Sequence, residues 1–522
     1  MGIDITYKTT DAPPQKASAP WKSYIIFTLC ASLYLLPFMR IISTRTDEGT
    51  LLCGAVRIIH GQVFARDFFE VMGPGTFYWL AAFFKLFGVT ILTSRICLFV
   101  SSLGTALLLY FLTCRVCSRY RALPCLILVG TCFGVLWPGI SHHVDSNFFA
   151  LLAVVCLVFW LDRPRNSFLI AAGVLAAATT CILQPKGVFL FCAFLVWLWF
   201  QRHRTSAPLS AVTLLAGGYL AVVLLVLAYF WSQGALSGLV YANFVFPFRD
   251  YGTVNSLPYA FGLLKFNWIP WLAAFGVGIW SVATAAILIT PLMFVAVLPL
   301  LLLVIAIRYK WMLVTPEIAL YWLCGWALWL SEFHRRDISH LVFGSLLLII
   351  LVIHALTGSR RKLADIALQL LAISAVCLAS FNCFMVLFVG AHTTATRMGR
   401  APVIGNPIVL SFLNEHVPPG GEIFVYPYSP ALYFLTATTN PTRYSFLTYN
   451  YNTSAQFHEV VDVLDRRRVK WVVWDTTLLS RLADNFPGLQ LKDPKDLIVE
   501  PYLESHYKLV EDLDGIHIME RK

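Results

Sequence analysis

Charged residues are scarce in this chain, and their scarcity excludes a soluble protein. Asp, Glu, Lys and Arg make up 13% of its 522 residues, whereas a soluble domain carries about 25%. Hydrophobic residues make up 58%, and the mean hydropathy is +0.71. Too little polar surface remains to cover a water-soluble globule of this size. Repeated apolar runs of about 20 residues match the length that a helix needs to cross a bilayer, so the composition predicts a polytopic membrane protein.

Several motifs are also absent. The sequence contains no GxxxxGK(S/T) phosphate-binding loop, which argues against nucleotide hydrolysis as its energy source. None of the 13 cysteines lies after Cys383, so the C-terminal region cannot hold a disulfide framework. Cys114 and Cys117 have CxxC spacing, but no second pair accompanies them, and a lone pair is weak support for a metal or redox site.

The net charge of +11 has the distribution of a membrane protein and not of a nucleic-acid-binding protein. Residues 400–522 hold 12 basic and 15 acidic residues, whereas residues 1–399 hold 27 basic and 13 acidic residues. Basic residues lie in short loops between apolar runs, where they determine orientation. We therefore expect no nucleic-acid partner, and we predict cytoplasmic loops near residues 115–121, 163–165, 202–204, 308–310 and 360–362.

The alternation of these loops predicts about eleven crossings, with thirteen as the alternative. The ambiguous stretch is 269–307, which is long for one helix and contains two prolines, so we predict one span plus an interfacial or broken segment there. The predicted organisation is a cytoplasmic tail over 1–22 and a transmembrane module over 23–390, whose first outer loop is 43–89. An extracytoplasmic domain over 391–522 follows.

The C-terminal region has the patterns of a small α/β domain. Glu422–Tyr428 and Val469–Asp475 are β-type runs bounded by turn residues. Ser454–Arg468, between them, has the helical spacing of apolar residues. Asp514-Gly515 lies between two further β-type runs and predicts a hairpin.

The first outer loop carries the most informative acidic residues. Asp47 and Glu48 follow the first span directly and so lie at the membrane surface. An amphipathic stretch over 50–60 leads to a second acidic cluster, Asp67-Phe68-Phe69-Glu70, and a second apolar stretch covers 76–87. The pattern predicts two short interfacial helices that frame carboxylates. A simpler alternative is that Asp47 caps a helix and the other acids are solvated loop charges.

This pattern resembles the first outer loop of membrane glycosyltransferases of the C type (GT-C). It is most similar to the bacterial branch of the dolichyl-phosphate-mannose protein mannosyltransferase family, near the lipid A aminoarabinose transferases. The matching residues are Asp47-Glu48-Gly49, Asp67-Phe68-Phe69 and Pro74-Gly75. Gly73 is a departure, because relatives often have Pro there. Weaker similarity comes from Arg335-Arg336-Asp337 with His340, and from the segments 246–251 and 258–259.

The resemblance implies a GT-C fold and an inverting transfer of a sugar from a polyprenyl-phosphate donor. The acceptor would be an envelope glycan, a lipid or a protein outside the cytoplasm. The expected setting is the inner (plasma) membrane of a bacterium, in contact with membrane lipids. The alternative from another class is a lipid or glycan transporter or flippase, and a third reading is a non-enzymatic subunit of an envelope complex. The scarcity of charge inside the spans argues against a transporter.

The chemistry of such a transfer assigns roles to the candidate residues. A polyprenyl phosphate is a good leaving group, so the main requirement is a base for the acceptor hydroxyl, worth about 10²–10⁴ in rate. Asp47 matches the family's catalytic carboxylate, Glu48 is its neighbour and Asp67 is the reserve candidate. Cations should stabilise the departing phosphate. The candidates for this donor-phosphate site are Lys186, Arg335, Arg336 and His340.

One further cluster is a candidate for binding a divalent metal ion. His142 and His143 lie with Asp145 on a short predicted outer loop. Two adjacent histidines without a third defined ligand are weak support for a metal site. We therefore expect no required cofactor and keep a divalent ion at His142 and His143 as an open alternative.

Overall fold

The computed structural model describes most of the chain. The described residues are 20–44, 47–132, 139–202, 208–251, 256–263, 278–308, 315–359, 361–389, 392–449, 451–478 and 493–522. Most of the predicted tail over 1–22 and residues 269–277 of the predicted stretch 269–307 therefore lie outside the described residues.

The membrane part is helical. Its helices are α1 (Trp21–Leu35), α2 (Glu48–Ile59), α3 (Pro74–Phe87), α4 (Ile91–Val116), α5 (Leu123–Cys132), α6 (His142–Asp162), α7 (Asn166–Ile182), α8 (Gln184–Phe200), α9 (Pro208–Ser232), α10 (Leu236–Val240), α11 (Ile279–Arg308), α12 (Pro316–Ser331), α13 (Ile338–Gly344), α14 (Leu346–Gly358) and α15 (Lys362–Val389). Two π-helical turns, Tyr241–Val245 and Pro247–Tyr251, follow α10.

Five of the described helices are long and apolar enough to cross a bilayer. They are α4, α6, α9, α11 and α15. The pair α13 and α14, bent by 71°, makes a sixth if it is counted as one span. The chain is thus a multi-pass membrane protein, and the count of eleven to thirteen crossings stays a prediction. The expectation that two prolines break the stretch 269–307 was wrong for its described part, because α11 continues through Pro291 and Pro299. Neighbouring helices and local adjustments allow proline inside membrane helices.

The two ends of the bundle differ in their charges and neighbours. At one end Arg115 pairs with Asp162 and with Glu317, each at 2.8 Å, so the end of α4, the end of α6 and the start of α12 meet. At the other end of α4, the Ile91 amide donates to the Met398 carbonyl at 3.0 Å. The basic end of the bundle therefore lies opposite the C-terminal region.

The first outer loop forms the two predicted helices. The predicted stretches 50–60 and 76–87 correspond to α2 and α3, which pack against each other. Gly54 makes this contact close, since a β-carbon there would lie 2.4 Å from the Phe77 ring. A parallel pair of two-residue strands, Ile42–Ser43 (β1) with Val403–Ile404 (β4), joins the start of the loop to the C-terminal region.

The C-terminal region folds around a four-stranded sheet. Its elements are β2 (Thr394–Thr396), β3 (Gly399–Ala401), β4, α16 (Pro407–His416), β5 (Ile423–Tyr426), α17 (Ala431–Leu435), α18 (Ser454–Arg467), β6 (Trp471–Asp475), α19 (Val499–His506), β7 (Tyr507–Leu513) and β8 (Ile516–Arg521). The strand order is β5-β6-β8-β7, with β5 and β6 parallel. The β7–β8 hairpin turns at Asp514 and Gly515, both at positive φ, and α18 begins with a capping box. These elements match the predicted strands, helix and hairpin.

We expect the basic end of the bundle to be cytoplasmic and the C-terminal sheet to be extracytoplasmic. Ser118 and Glu504 are both exposed and belong to these two regions. In intact cells a membrane-impermeant maleimide should label Glu504→Cys and leave Ser118→Cys unlabelled, with the unsubstituted chain giving the background of native thiols. Labelling of Ser118→Cys alone would show that the orientation is the opposite of the predicted one.

Candidate active site

Asp47 lies at the start of α2, where the membrane part meets the C-terminal region. Its backbone occupies the cap position of the helix, but its side chain makes no capping hydrogen bond. Instead, Oδ1 accepts a hydrogen bond of 2.7 Å from the Tyr428 hydroxyl. The Asp47 side chain therefore does not cap α2. It contacts Tyr428, a residue of the C-terminal region.

Glu48 points elsewhere. Its side chain is buried, forms an ion pair of 2.7 Å with Arg95 on α4 and accepts a hydrogen bond of 3.0 Å from the Ile140 amide. Gly139 leaves the space for this carboxylate, because a β-carbon there would lie 2.6 Å from Glu48 Oε2. Glu48 thus anchors the start of α2 to the bundle, directly beside Asp47.

Asp67 stabilises a turn of the first outer loop. It pairs with Arg66 at 2.8 Å and accepts a hydrogen bond of 2.7 Å from the Val63 amide. The hydrogen bonds from Arg66 lower the pKa of Asp67. Among the described residues no contact joins Asp67 to Asp47.

Glu70, which is not among the predicted site residues, lies within electrostatic reach of Asp47. It is 1% exposed, and its Oε1 has no hydrogen-bond partner among the described residues. Burial, with a contribution from the charge of Asp47, raises the pKa of Glu70 to about 8, although Ser445 and Arg57 oppose the shift. At neutral pH this carboxyl is therefore mostly protonated. Its place in the second acidic cluster was visible in the sequence, but its burial was not.

A chain of four aromatic side chains begins at Tyr428, the hydrogen-bond partner of Asp47, and we call it the aromatic wall. Ring-centroid distances are 5.5 Å from Tyr428 to Phe446, 4.5 Å from Phe446 to Tyr451 and 4.6 Å from Tyr451 to Tyr251. Burial and the negative charge of Asp47 raise the pKa of Tyr428. The wall extends from the C-terminal region to the π-helical turn at Tyr251, so it crosses the boundary between the two parts of the protein.

Lys186 belongs to a buried charge cluster, which consists of His143, Lys186 and Glu332. The Lys186 ammonium is wholly buried, 2.6 Å from Glu332 and 2.8 Å from Asn147 Oδ1. His143 Nδ1 lies 3.2 Å from Glu332. Burial alone would raise the pKa of Glu332, but His143 and Lys186 outweigh it and hold that pKa well below its usual range. Lys186 is predicted to bind the donor phosphate, and in the structure Glu332 compensates its charge.

Asp337 contacts two of the other predicted phosphate-binding residues. It accepts a hydrogen bond of 2.7 Å from Arg335 Nε, and it pairs with His340 Nδ1 at 2.7 Å. It also caps α13 by accepting a hydrogen bond from the His340 amide. Burial opposes ionisation of Asp337, but His340 and Arg335 lower its pKa. Burial likewise opposes the charge of Arg335, whereas Asp337 and, more weakly, Asp47 raise its pKa. Arg335 therefore connects this group electrostatically to Asp47.

Arg336 differs from these cations. Its guanidinium stacks on the Phe333 ring, 5.3 Å from the centroid, and its side chain is partly exposed. No carboxylate within the described part of the chain forms an ion pair with it, whereas Lys186, Arg335 and His340 each contact one. Among the predicted phosphate ligands, Arg336 is thus the one whose charge is not neutralised by a described carboxylate.

The structure changes the candidate set for a metal ion. Possible ligand atoms of His143, Glu332 and His340 lie within 4.8 Å of one another. His142, which was predicted with His143, stacks against it at a ring-centroid distance of 4.1 Å but does not belong to this group. These three residues would be the ones to hold a divalent ion, and such an ion would compete with Lys186 for Glu332.

The raised pKa of Glu70 predicts a pH-dependent stability. In the unfolded chain Glu70 ionises near its ordinary pKa of 4.5, whereas in the folded chain it keeps its proton up to about pH 8. The fold therefore loses stability as the pH rises between these values. Glu70→Gln mimics the neutral form, so its unfolding midpoint should exceed that of the unchanged protein by a few degrees at pH 8 and by much less at pH 5. The exposed Glu504→Gln is the control, and an equal effect at both pH values would contradict burial of Glu70.

Comparisons with known proteins bear on this arrangement. No family model matches the chain, and no curated protein matches it by sequence. Among solved structures it is similar to ArnT, an aminoarabinose transferase from Cupriavidus metallidurans. The apo crystal structure has 10% identity and a TM-score of 0.57, and the structure bound to undecaprenyl phosphate has 11% identity and a TM-score of 0.54. Each alignment covers 96% of this chain and 98% of ArnT.

A second similarity is too distant to support a conclusion. The arabinosyltransferase EmbB from Mycobacterium smegmatis has 15% identity and a TM-score of 0.36, with 74% of this chain and 43% of EmbB covered. The likeness to ArnT, by contrast, extends over both the helical bundle and the C-terminal sheet. The chain therefore has the fold of ArnT, which confirms the fold that the resemblance of the first outer loop implied, while the number of spans stays a prediction.

Proposed function

We propose that this protein is a membrane glycosyltransferase that moves a sugar from a polyprenyl-phosphate donor to an extracytoplasmic acceptor, with inversion at the anomeric carbon. The single observation that carries the proposal is the Asp47 carboxylate at the start of α2, hydrogen-bonded by Tyr428 and within the electrostatic reach of Arg335. The fold shared with ArnT supports it, because one ArnT structure holds undecaprenyl phosphate.

Asp47 acts as the base in this proposal. The acceptor hydroxyl attacks the anomeric carbon from the face opposite the phosphate, and a new carbon–oxygen bond forms there. The bond to the phosphate oxygen breaks, and polyprenyl phosphate leaves with the electron pair. The acceptor proton passes to Asp47 Oδ2, which has no hydrogen bond among the described residues, while Tyr428 donates to Oδ1. Inversion follows because the attack and the departure take place on opposite faces.

The phosphate is recognised by cations near Asp47. Arg336 provides the guanidinium whose charge is not compensated by a described carboxylate, and Arg335 and His340 contribute a positive environment through Asp337. Arginine suits phosphate because its fork of donors can bind two oxygens at once. Lys186 has a supporting role in this proposal, since it neutralises Glu332 beneath the site.

The position of these groups favours a transferase over a flippase. A transporter typically places its substrate site near the middle of the membrane, whereas Asp47, Asp337 and Glu332 all lie at helix ends. The proposed setting is a bacterial inner membrane with this end of the bundle outside. The acceptor is a glycan, a lipid or a protein.

Replacing Asp47 tests the base assignment. Asp47→Asn keeps the size of the side chain and its ability to accept the Tyr428 hydrogen bond, but it cannot take a proton. Transfer from a radiolabelled polyprenyl-phosphate sugar by the purified protein in detergent should fall about 100-fold or more, with donor binding retained. Asp462→Asn, on the exposed face of α18, is the matched control. If Asp47→Asn is active and Asp67→Asn is inactive, the base is Asp67, and if both are active the proposed mechanism is wrong.

Replacing Arg336 tests phosphate recognition. Arg336→Ala should raise the KM for the donor about 10-fold or more, because a hydrogen-bonded charge pair with the phosphate is lost. Arg336→Lys should recover only part of the loss, since an ammonium cannot form the two-pronged contact. Arg466→Ala, an exposed arginine of α18, should behave like the unchanged protein. A loss of donor and acceptor use to the same degree would indicate that Arg336 has a structural role.

A further inference from the structure

The C-terminal region supplies the only hydrogen bond to the Asp47 side chain within the described part of the chain. Tyr428 lies between β5 and α17, and its hydroxyl is 2.7 Å from Asp47 Oδ1. The two residues are 381 positions apart in the sequence. The orientation of the Asp47 carboxylate therefore depends on the C-terminal region as well as on the start of α2.

The segment that carries Tyr428 is held tightly against the start of α2. A β-carbon at Gly49 would lie 2.4 Å from the Ala431 amide nitrogen, so the absence of a side chain at Gly49 is what allows the close approach of α17. On the other side of the segment, the Leu447 amide donates to the Pro427 carbonyl at 2.8 Å. The position of the Tyr428 hydroxyl thus follows from backbone contacts on both sides of it.

Aromatic rings and a buried acid lie near Tyr428. The Tyr428 ring is followed by Phe446 and Tyr451 of the aromatic wall. Glu70, the nearby acid, is buried and mostly protonated at neutral pH. A phenolic hydroxyl can hold a carboxylate oxygen firmly, because hydrogen bonds to an ionised acceptor are short and strong.

We propose that Tyr428 is a positioning residue through which the C-terminal region completes the active site, by holding Asp47 Oδ1 so that Oδ2 faces the acceptor. The inference rests on the proposed function of Asp47 and names the residue that prepares it. Tyr428 itself gives up no proton in the reaction. Transfer therefore requires the C-terminal region to be docked on α2, which couples the outer domain to the chemistry at the membrane surface.

The test is Tyr428→Phe, which removes one oxygen atom and keeps the ring. We expect kcat to fall about 10- to 100-fold, the range of a hydrogen bond to a charged group, with the donor KM changed less than about twofold. A merely structural contribution of Tyr428 would raise the donor KM or lower the yield of folded protein together with kcat.

Tyr507→Phe is the matched control, because the Tyr507 hydroxyl donates at 2.8 Å to the Val469 carbonyl inside the C-terminal sheet. It should leave kcat unchanged. An unchanged kcat in Tyr428→Phe, with Asp47→Asn inactive, would overturn the inference and leave the proposed function standing. An active Asp47→Asn would instead overturn the proposed function. The two failures are therefore distinguishable in one assay series.

Discussion

The end of the bundle that meets the C-terminal region depends on buried charges that are compensated in pairs. Glu332 lies between Lys186 and His143, and Glu48 lies against Arg95, all with little or no exposure. Removing one member of such a pair leaves an uncompensated buried charge and costs about 3–5 kcal/mol. These contacts join the ends or starts of α2, α4, α6, α8 and α12, so helices distant in the sequence are held at one place.

The site near Asp47 follows from this constraint. Glu48 is fixed to α4, and the adjacent residue, Asp47, is consequently directed away from the bundle toward Tyr428. Asp337 binds Arg335 and His340 at the start of α13, and Arg335 lies within electrostatic reach of Asp47. A carboxylate and a guanidinium from different segments, each with its own partner, thus lie near each other. Such an arrangement suits a reaction in which a base and a departing anion must both be stabilised.

The acids of the first outer loop show which properties of a site a sequence pattern predicts and which it does not. The pattern identified Asp47, Glu48 and Asp67 as a group, but their environments differ in a way that no spacing reveals. Asp67 binds the neighbouring Arg66 and is partly exposed, whereas Glu48 pairs with a helix 47 positions away and Glu70 is buried with an oxygen that has no described partner. Lys186 is a similar case, because the carboxylate that compensates its charge belongs to Glu332, which follows α12 in the sequence.

The sequence by itself determined the membrane class, the two helices of the first outer loop, and the strands, helix and hairpin of the C-terminal region. These features depend on composition, on periodicity and on turn residues, which act over a few positions. Only the tertiary structure decided that Tyr428 meets Asp47, that Glu70 is buried, that His340 and not His142 stands with His143 and Glu332, and that α11 runs through its prolines. Each of these depends on which distant segments come together and on how much water remains between them, and neither property is encoded in local spacing.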